Sequence, residues 1–363
     1  MSETALSLHA PLSFRRGPAM PNRMALAPLT NLQSNDDGTI SDDEFAWLVK
    51  RADGGFGMVM TCAASTHALG KGFPRQLGIH DDGHIPGLAR LATALRQAGG
   101  LSSVQLQHSG GRAPRELIPG QPVGAIDDAK RGVRALSTGE VEQAIEDFVL
   151  AGLRAERAGF DGVEVHGAHG YLLCQLLDTH NVRADRYGGS AENRARMIRE
   201  VIAGLRARTR ADFQIGVRLS PERYGMDLGE IRALSARLLG EGQIDYLDIS
   251  CWDTFKQPED PAWQGRALMD WFTDLDRHGT RLGVAGKLTT AQNARECLTR
   301  GADFVLIGRG AILHHDFARR IADEDFASAP LPISRAHLAA EGLGRDFIDY
   351  MATWPGFVAE DAA

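Results

Sequence analysis

Eight short β-like runs alternate with helical patterns along the middle of this chain, and no linker interrupts them. The runs occupy residues 24–28, 56–60, 102–107, 162–165, 215–219, 246–249, 282–285 and 304–307. Between them, Ser41-Asp42-Asp43-Glu44 reads as a capping box that opens a helix to about residue 53. Residues 84–98 read as a helix closed by Gly99-Gly100. Ser137-Thr138-Gly139-Glu140 opens a third, with an apolar stripe through Val141, Ala144, Ile145, Phe148, Val149 and Gly152. Ser190 caps a helix to about residue 209, helical signals surround 263–277, and Thr290 opens a helix to residue 300. Repeats of this kind and number close into an α/β architecture, the (β/α)8 TIM barrel. A doubly wound sheet is the competitor, but neither GxGxxG nor GxxxxGK[ST] follows any run.

On this reading 1–363 is one barrel domain with three additions. Residues 1–20 form an N-terminal cap, in which Leu6-Ser7-Leu8 and Leu12-Ser13-Phe14 pair as a hairpin about Pro11. The Gly- and Pro-rich stretch 108–136 is a long loop after strand three, and its length implies a functional loop or small subdomain. Residues 330–363, ending in Trp354-Pro355-Gly356-Phe357, pack on the barrel or on a neighbour. A formal net charge of −7 weighs against nucleic acid as a partner. No apolar run reaches membrane-spanning length, and no signal peptide is evident. Cys62, Cys174, Cys251 and Cys297 form no CxxC pair, which suits a reducing, cytoplasmic setting and argues against an iron–sulfur cluster or structural zinc. The chain is compatible with a monomer or a homo-oligomer.

In such a barrel the C-terminal strand ends meet at one mouth, where active sites form. Pro28-Leu29-Thr30 follows strand one, Ala63 lies beyond strand two, and Gln105 and Arg218 face inward if strand phase holds. Strand four runs into His166, His169 and Tyr171, with only Gly and Ala between them. Two imidazoles can hold an oxyanion and a phenol can protonate a carbanion. Two histidines lacking a third ligand make a weak metal site, so no metal is expected. Gly286-Lys287 and Gly308-Arg309 follow strands seven and eight, where this architecture places a phosphate pocket. The plainer readings are an Arg218 paired with a buried carboxylate such as Glu164, and tight turns with a surface Arg309.

The run from His166 through Gly170-Tyr171-Leu172-Leu173 to Asn181, Arg183, Asp185, Tyr187-Gly188-Gly189-Ser190 and Glu192-Asn193-Arg194 resembles the Old Yellow Enzyme family. The resemblance extends from Ala27-Pro28-Leu29-Thr30 to Gly308-Arg309. It implies an FMN-dependent ene-reductase that uses NADPH or NADH. By the resemblance, Thr30 would bond the flavin O4, Ala63 would touch the ring edge, Gln105 would bind the pyrimidine part, and Arg218 would lie near N1 and O2. Gly286, Gly308 and Arg309 would hold the phosphate, with Pro28, Leu29 and Lys287 beside the cofactor. His166 and His169 would bind the oxygen of an α,β-unsaturated carbonyl or nitro compound, and Tyr171 would deliver the proton. Thr30 together with His169 mixes the patterns of two branches of the family. Two alternatives stay open: a flavin-free lyase or aldolase with Lys287 as Schiff base, and a flavin-binding protein without turnover.

Overall fold

The computed structural model describes residues 7–323, 326 and 328–360. The first six residues of the expected cap, and 361–363 of the tail, lie outside them. Eight parallel strands close on themselves: Met24–Leu26, Met58–Ser65, Leu101–Gln107, Gly162–Gly167, Gln214–Leu219, Tyr246–Ser250, Arg281–Ala285 and Phe304–Ile307. Each pairs with the next, and the eighth returns to the first through Met24 opposite Val305. The fold is the (β/α)8 barrel. Helices Asp42–Asp53, Ile85–Gln97, Thr138–Arg157, Arg196–Arg208, Leu228–Gly240 and Ala291–Thr299 surround it.

Side-chain alternation sorts each strand into two faces. Val163 and Val165 join the outer apolar core with the helices, so Glu164 and His166 point into the barrel. At the barrel floor Tyr246 and Phe304 meet edge to face, with ring centroids 5.7 Å apart, and Phe14 packs against both. Two glycines make room for these rings. A Cβ at Gly216 would lie 2.0 Å from Tyr246 Cζ, and one at Gly283 would lie 2.5 Å from Phe304 Cζ. Gly216→Ala should therefore overpack the floor and cost at least ~1–3 kcal/mol. Urea unfolding measures this, and an unchanged midpoint would show that the floor has slack.

Several expectations need correction. The described N-terminal pairing joins Leu12 to Met20 through two 2.9 Å backbone bonds; Leu6 of the expected hairpin lies outside the described residues. Leu8 O instead accepts the Arg23 amide, just ahead of strand one. Strand two runs on to Ser65, through small residues with a register shift between Met60 and Ala63. Ser41 does cap its helix, accepting the Glu44 amide at 3.1 Å. The Glu44 carboxyl does not close the box; it is buried against Asn31, Ser34 and Cys62. The helix expected over 263–277 shrinks to Asp270–Thr273, preceded by the 3-10 turn Pro261–Trp263. There Trp263 and Trp271 pack at 4.9 Å, with Gly265 at φ +104° between them. The helix expected from Ser190 is two, Ala191–Arg194 and Arg196–Arg208. The excursion after strand three holds two 3-10 turns, Gly110–Arg112 and Arg115–Leu117, and a two-stranded pair, Val123–Gly124 with Arg134–Ala135.

The tail folds onto the barrel's own flank. Phe347 meets Trp47 edge-on at 4.9 Å, and Phe357 is buried. Among the described residues no helix is long and apolar enough to cross a membrane.

Candidate active site

Barrel register sets the site in layers. Ala63, Gln105, Glu164 and Gly216 are successive neighbours across strands two to five, and His166, Arg218 and Asp248 across strands four to six. In the lower layer Gln105 Nε2 donates to Glu164 Oε1 at 2.7 Å. Arg218 Nε lies 2.9 Å from Asp248 Oδ2 as an ion pair without hydrogen-bond alignment. The plainer reading, an Arg218 paired with a buried carboxylate, thus holds with Asp248 in place of its example Glu164, which Gln105 bonds. Burial raises both acids above the ordinary carboxylate range, and the Asp248 charge raises Glu164 further.

Above this layer a chain of contacts leads to the histidines. Arg218 donates to Ser250 Oγ at 3.2 Å, Ser250 Oγ lies 2.9 Å from His169 Nε2, and His169 Nδ1 lies 3.3 Å from His166 Nε2. His166 Nδ1 is buried with no partner. Desolvation, then the charges of His169 and Arg218, hold His166 well below the usual imidazole range; desolvation and then Arg218 and Arg112 bring His169 to about 3. Both rings are therefore neutral, each with one N–H. Two assignments satisfy these contacts: Ser250 donates to His169 Nε2 and His169 Nδ1–H to His166 Nε2, or each ring carries its proton on Nε2, with His169 donating to Ser250 Oγ and His166 to His169 Nδ1. In both, His166 Nδ1 is the ring nitrogen left over. These proton positions are inferred from the network.

The turn after strand four is built for this. His169 and Gly170 take left-handed φ of 61° and 74°. The His169 amide donates to Ser220 Oγ at 3.0 Å, and its carbonyl accepts Arg112 Nη1 at 2.6 Å. Tyr171 then caps the helix Leu172–Leu177. Its ring centroid lies 5.4 Å from that of His166, and the Arg112 guanidinium sits over it, also at 5.4 Å. Its hydroxyl bonds to no described residue. Burial raises its pKa, partly offset by Arg112, so it stays protonated at neutral pH. As expected, Arg183 and Asp185 lock the following loop, with Asn181 Nδ2 bonding Leu176 O and Tyr187 O at 2.8 Å each.

The remaining sequence-derived candidates line the same mouth. Pro28, Leu29 and Thr30 are half-buried after strand one, and the Thr30 hydroxyl has no described partner. Ala63 is buried, its carbonyl taken by Gln76 Nε2 at 2.7 Å. Gly286 has φ +156°, and a Cβ there would sit 2.9 Å from Thr254 N. Gly308 caps the short helix Arg309–Leu313, and Arg309 is half-buried with no hydrogen bond or ion pair to a described residue. Lys287 is exposed and paired with Asp253 at 2.9 Å. A cavity of about 1200 Å³ lies beside the mouth, between the excursion and the Tyr171 turn, and meets it at Arg112, Gly170 and Tyr224. Sequence reasoning missed Asp248 and Glu44. The alternation Tyr246-Leu247-Asp248-Ile249-Ser250 was the available signal for Asp248, since it places that carboxyl inside.

This donor set fits FMN. Gln105 and Arg218 offer amide and guanidinium groups suited to ring carbonyls and nitrogens, and the unpaired Arg309 offers charge for a phosphate. The buried Arg218 Nε and Glu164 Oε2 have no hydrogen-bond partner of their own.

Comparison with known proteins agrees. The profile of the family described as NADH:flavin oxidoreductase / NADH oxidase matches residues 7–325. The chain is 36% identical over 328 residues to a probable NADH-dependent flavin oxidoreductase, YqiG, of Bacillus subtilis, covering 87% of this chain and 88% of that one. It is 31% identical over 329 residues to an NADPH dehydrogenase of Listeria innocua, covering 87% and 95%. The structure of an old yellow enzyme homologue from Zymomonas mobilis superposes with a TM-score of 0.79 at 26% identity, covering 95% of this chain and 99% of that one. The chain belongs to this NADH:flavin oxidoreductase family, the Old Yellow Enzymes, and is an FMN-dependent NAD(P)H oxidoreductase.

Proposed function

We propose that the enzyme reduces the activated C=C bond of α,β-unsaturated carbonyl or nitro compounds. The observation that carries this reading is the neutral histidine pair ending in an unpartnered, buried His166 Nδ1, beside a phenol whose hydroxyl is also free. A buried ring nitrogen without a partner is rare and points to a bound ligand. FMN, when bound, would supply the hydride, drawn from NAD(P)H, for the substrate's β-carbon. His166 and His169 hold the substrate oxygen and stabilise the negative charge that grows on it. Tyr171 gives its proton to the α-carbon. Pro28, Leu29, Thr30, Ala63, Gln105 and Arg218 form the ring-binding side of the mouth; Gly286, Lys287, Gly308 and Arg309 form the phosphate side.

The Schiff-base alternative loses its support. An amine nucleophile needs desolvation or a nearby cation to lose its proton. Lys287 has neither, being exposed and ion-paired to a carboxylate.

The test is the visible spectrum of the holoenzyme under anaerobic conditions, with NAD(P)H and then 2-cyclohexenone. Bleaching by nucleotide and recovery with enone support the proposal; bleaching without recovery by any enone or nitroalkene overturns it. A second expectation concerns the oxyanion site. His169→Ala should weaken binding of a para-substituted phenol, as its anion, by ~10–100-fold, the worth of one hydrogen bond to a charged group. Titration of the long-wavelength absorbance of the phenol complex measures it. Undiminished affinity would remove His169 from the oxygen-binding pair.

A further inference from the structure

Away from the mouth, metal-ligating side chains gather at one place on the C-terminal flank. His314 caps the C-terminal end of the helix Arg309–Leu313. His337 lies in the helix Arg335–Ala340, and Glu341 caps it one turn later. Spacing of i, i+4 puts these two on one helix face. One ligand atom from each of His314, His337 and Glu341 lies within 4.8 Å of the others.

Neighbouring groups orient His337 and Glu341 as the outer shell of a metal site does, while His314 is set by burial. His337 Nε2 lies 2.7 Å from Leu313 O, a bond that needs the ring's N–H there. In the neutral ring this leaves the Nδ1 lone pair free. Glu341 Oε2 accepts the His315 amide at 2.6 Å and lies 2.6 Å from His315 Nδ1, which fixes the carboxylate and leaves Oε1 open. His314 is 4% exposed, and its Nδ1 is buried with no partner. Its Nε2 accepts the Ala329 amide at 3.0 Å, so without metal the orphan is an N–H. A cation at Nδ1 displaces that proton, moves the ring's N–H to Nε2 and breaks the Ala329 contact.

A second grouping, His315, Asp316 and Glu341, overlaps the first. Its members are already engaged: His315 with Glu341, and Asp316 with Arg320 at 2.7 Å. Two imidazoles and a carboxylate suit zinc, whereas calcium and magnesium take oxygen ligands. We propose that His314, His337 and Glu341 bind one Zn²⁺, which clasps the segment after strand eight to the C-terminal helices. Three protein ligands leave a fourth position for water.

The experiment uses the FMN-loaded enzyme, stripped with a chelator and dialysed to equilibrium against micromolar Zn²⁺. Bound metal is counted by atomic emission and its ligands are read by X-ray absorption. One equivalent per chain with two imidazole ligands is expected, together with a raised thermal midpoint. His337→Ala and His314→Ala should each weaken binding by ~100-fold or more. His180→Ala, at an exposed histidine elsewhere, should leave it unchanged. His337 is only half-buried, so its variant keeps the test valid if His314→Ala does not fold. Substoichiometric zinc, a shell without imidazole, or affinity unchanged in His337→Ala would overturn the proposal.

Discussion

Tyr171→Phe is expected to leave reduction of the enzyme by NAD(P)H essentially unchanged and to slow its reaction with 2-cyclohexenone by ~10²–10⁴-fold. The substitution removes one oxygen and little else. The ring keeps its place 5.4 Å from His166 and under the Arg112 guanidinium. No hydrogen bond to a described residue is lost. Burial raises the phenol's pKa, so the proton is present throughout the neutral range. On the proposed mechanism, what disappears is an acid at the α-carbon. Hydride arrival at the β-carbon leaves negative charge between the α-carbon and the oxygen held by the histidines. A nitro group carries that charge better than a ketone and needs less help from an acid, so nitroalkenes should be slowed less. Anaerobic stopped-flow measurement of each half-reaction separates the outcomes. Equal slowing of both would assign Tyr171 to the packing of the turn, and an unchanged enone rate would remove it from proton transfer.

The strand phases were legible in the sequence because the inward and outward faces differ chemically. Val163 and Val165 against Glu164 and His166 is a two-residue alternation, and it predicts the inward Gln105 and Arg218 as well. The His166, His169 and Tyr171 cluster was legible because its chemistry is local to one turn. Long-range pairing was not. Arg218 could meet Glu164 on one neighbouring strand or Asp248 on the other, and only the register with Gln105 decides between them. Glu44 looked like half of a capping box because its spacing from Ser41 is right. Its carboxyl turns inward because Asn31, Ser34 and Cys62 satisfy it there. The contact ties the loop carrying Thr30 to the first helix, a link that no local pattern announces. The helix expected near Trp263 to Arg277 failed for a related reason. Its aromatic residues pack on each other across a glycine turn, and apolar spacing alone does not distinguish that from a helix.

Arg218→Met should cost ~3–5 kcal/mol of stability, because it strands charge inside the barrel. Glu164 and Asp248 are both 0% exposed, and Arg218 is the cation that lowers the pKa of each. Methionine fills similar volume, so the loss is mainly electrostatic. Its pH dependence has a definite sign. Carboxyls whose folded pKa is raised bind more protons in the native state than in the unfolded chain. Between the two pKa values stability therefore falls as pH rises, and it recovers as pH falls towards the ordinary carboxylate range. The deficit should grow as pH rises above about 6, where Asp248 ionises in the wild type, and shrink towards about pH 5, as read by urea unfolding of variant and wild type. A pH-independent deficit would mean that lost packing dominates. The double variant Arg218→Met/Asp248→Asn separates structure from cofactor binding. Removing the stranded charge should restore much of the stability while FMN affinity stays low, because the guanidinium facing the mouth is still missing. If FMN affinity returned with stability, Arg218 would be a positioning residue that holds the barrel floor of the site, and the flavin's polar edge would have to be met by Gln105 and Thr30 instead.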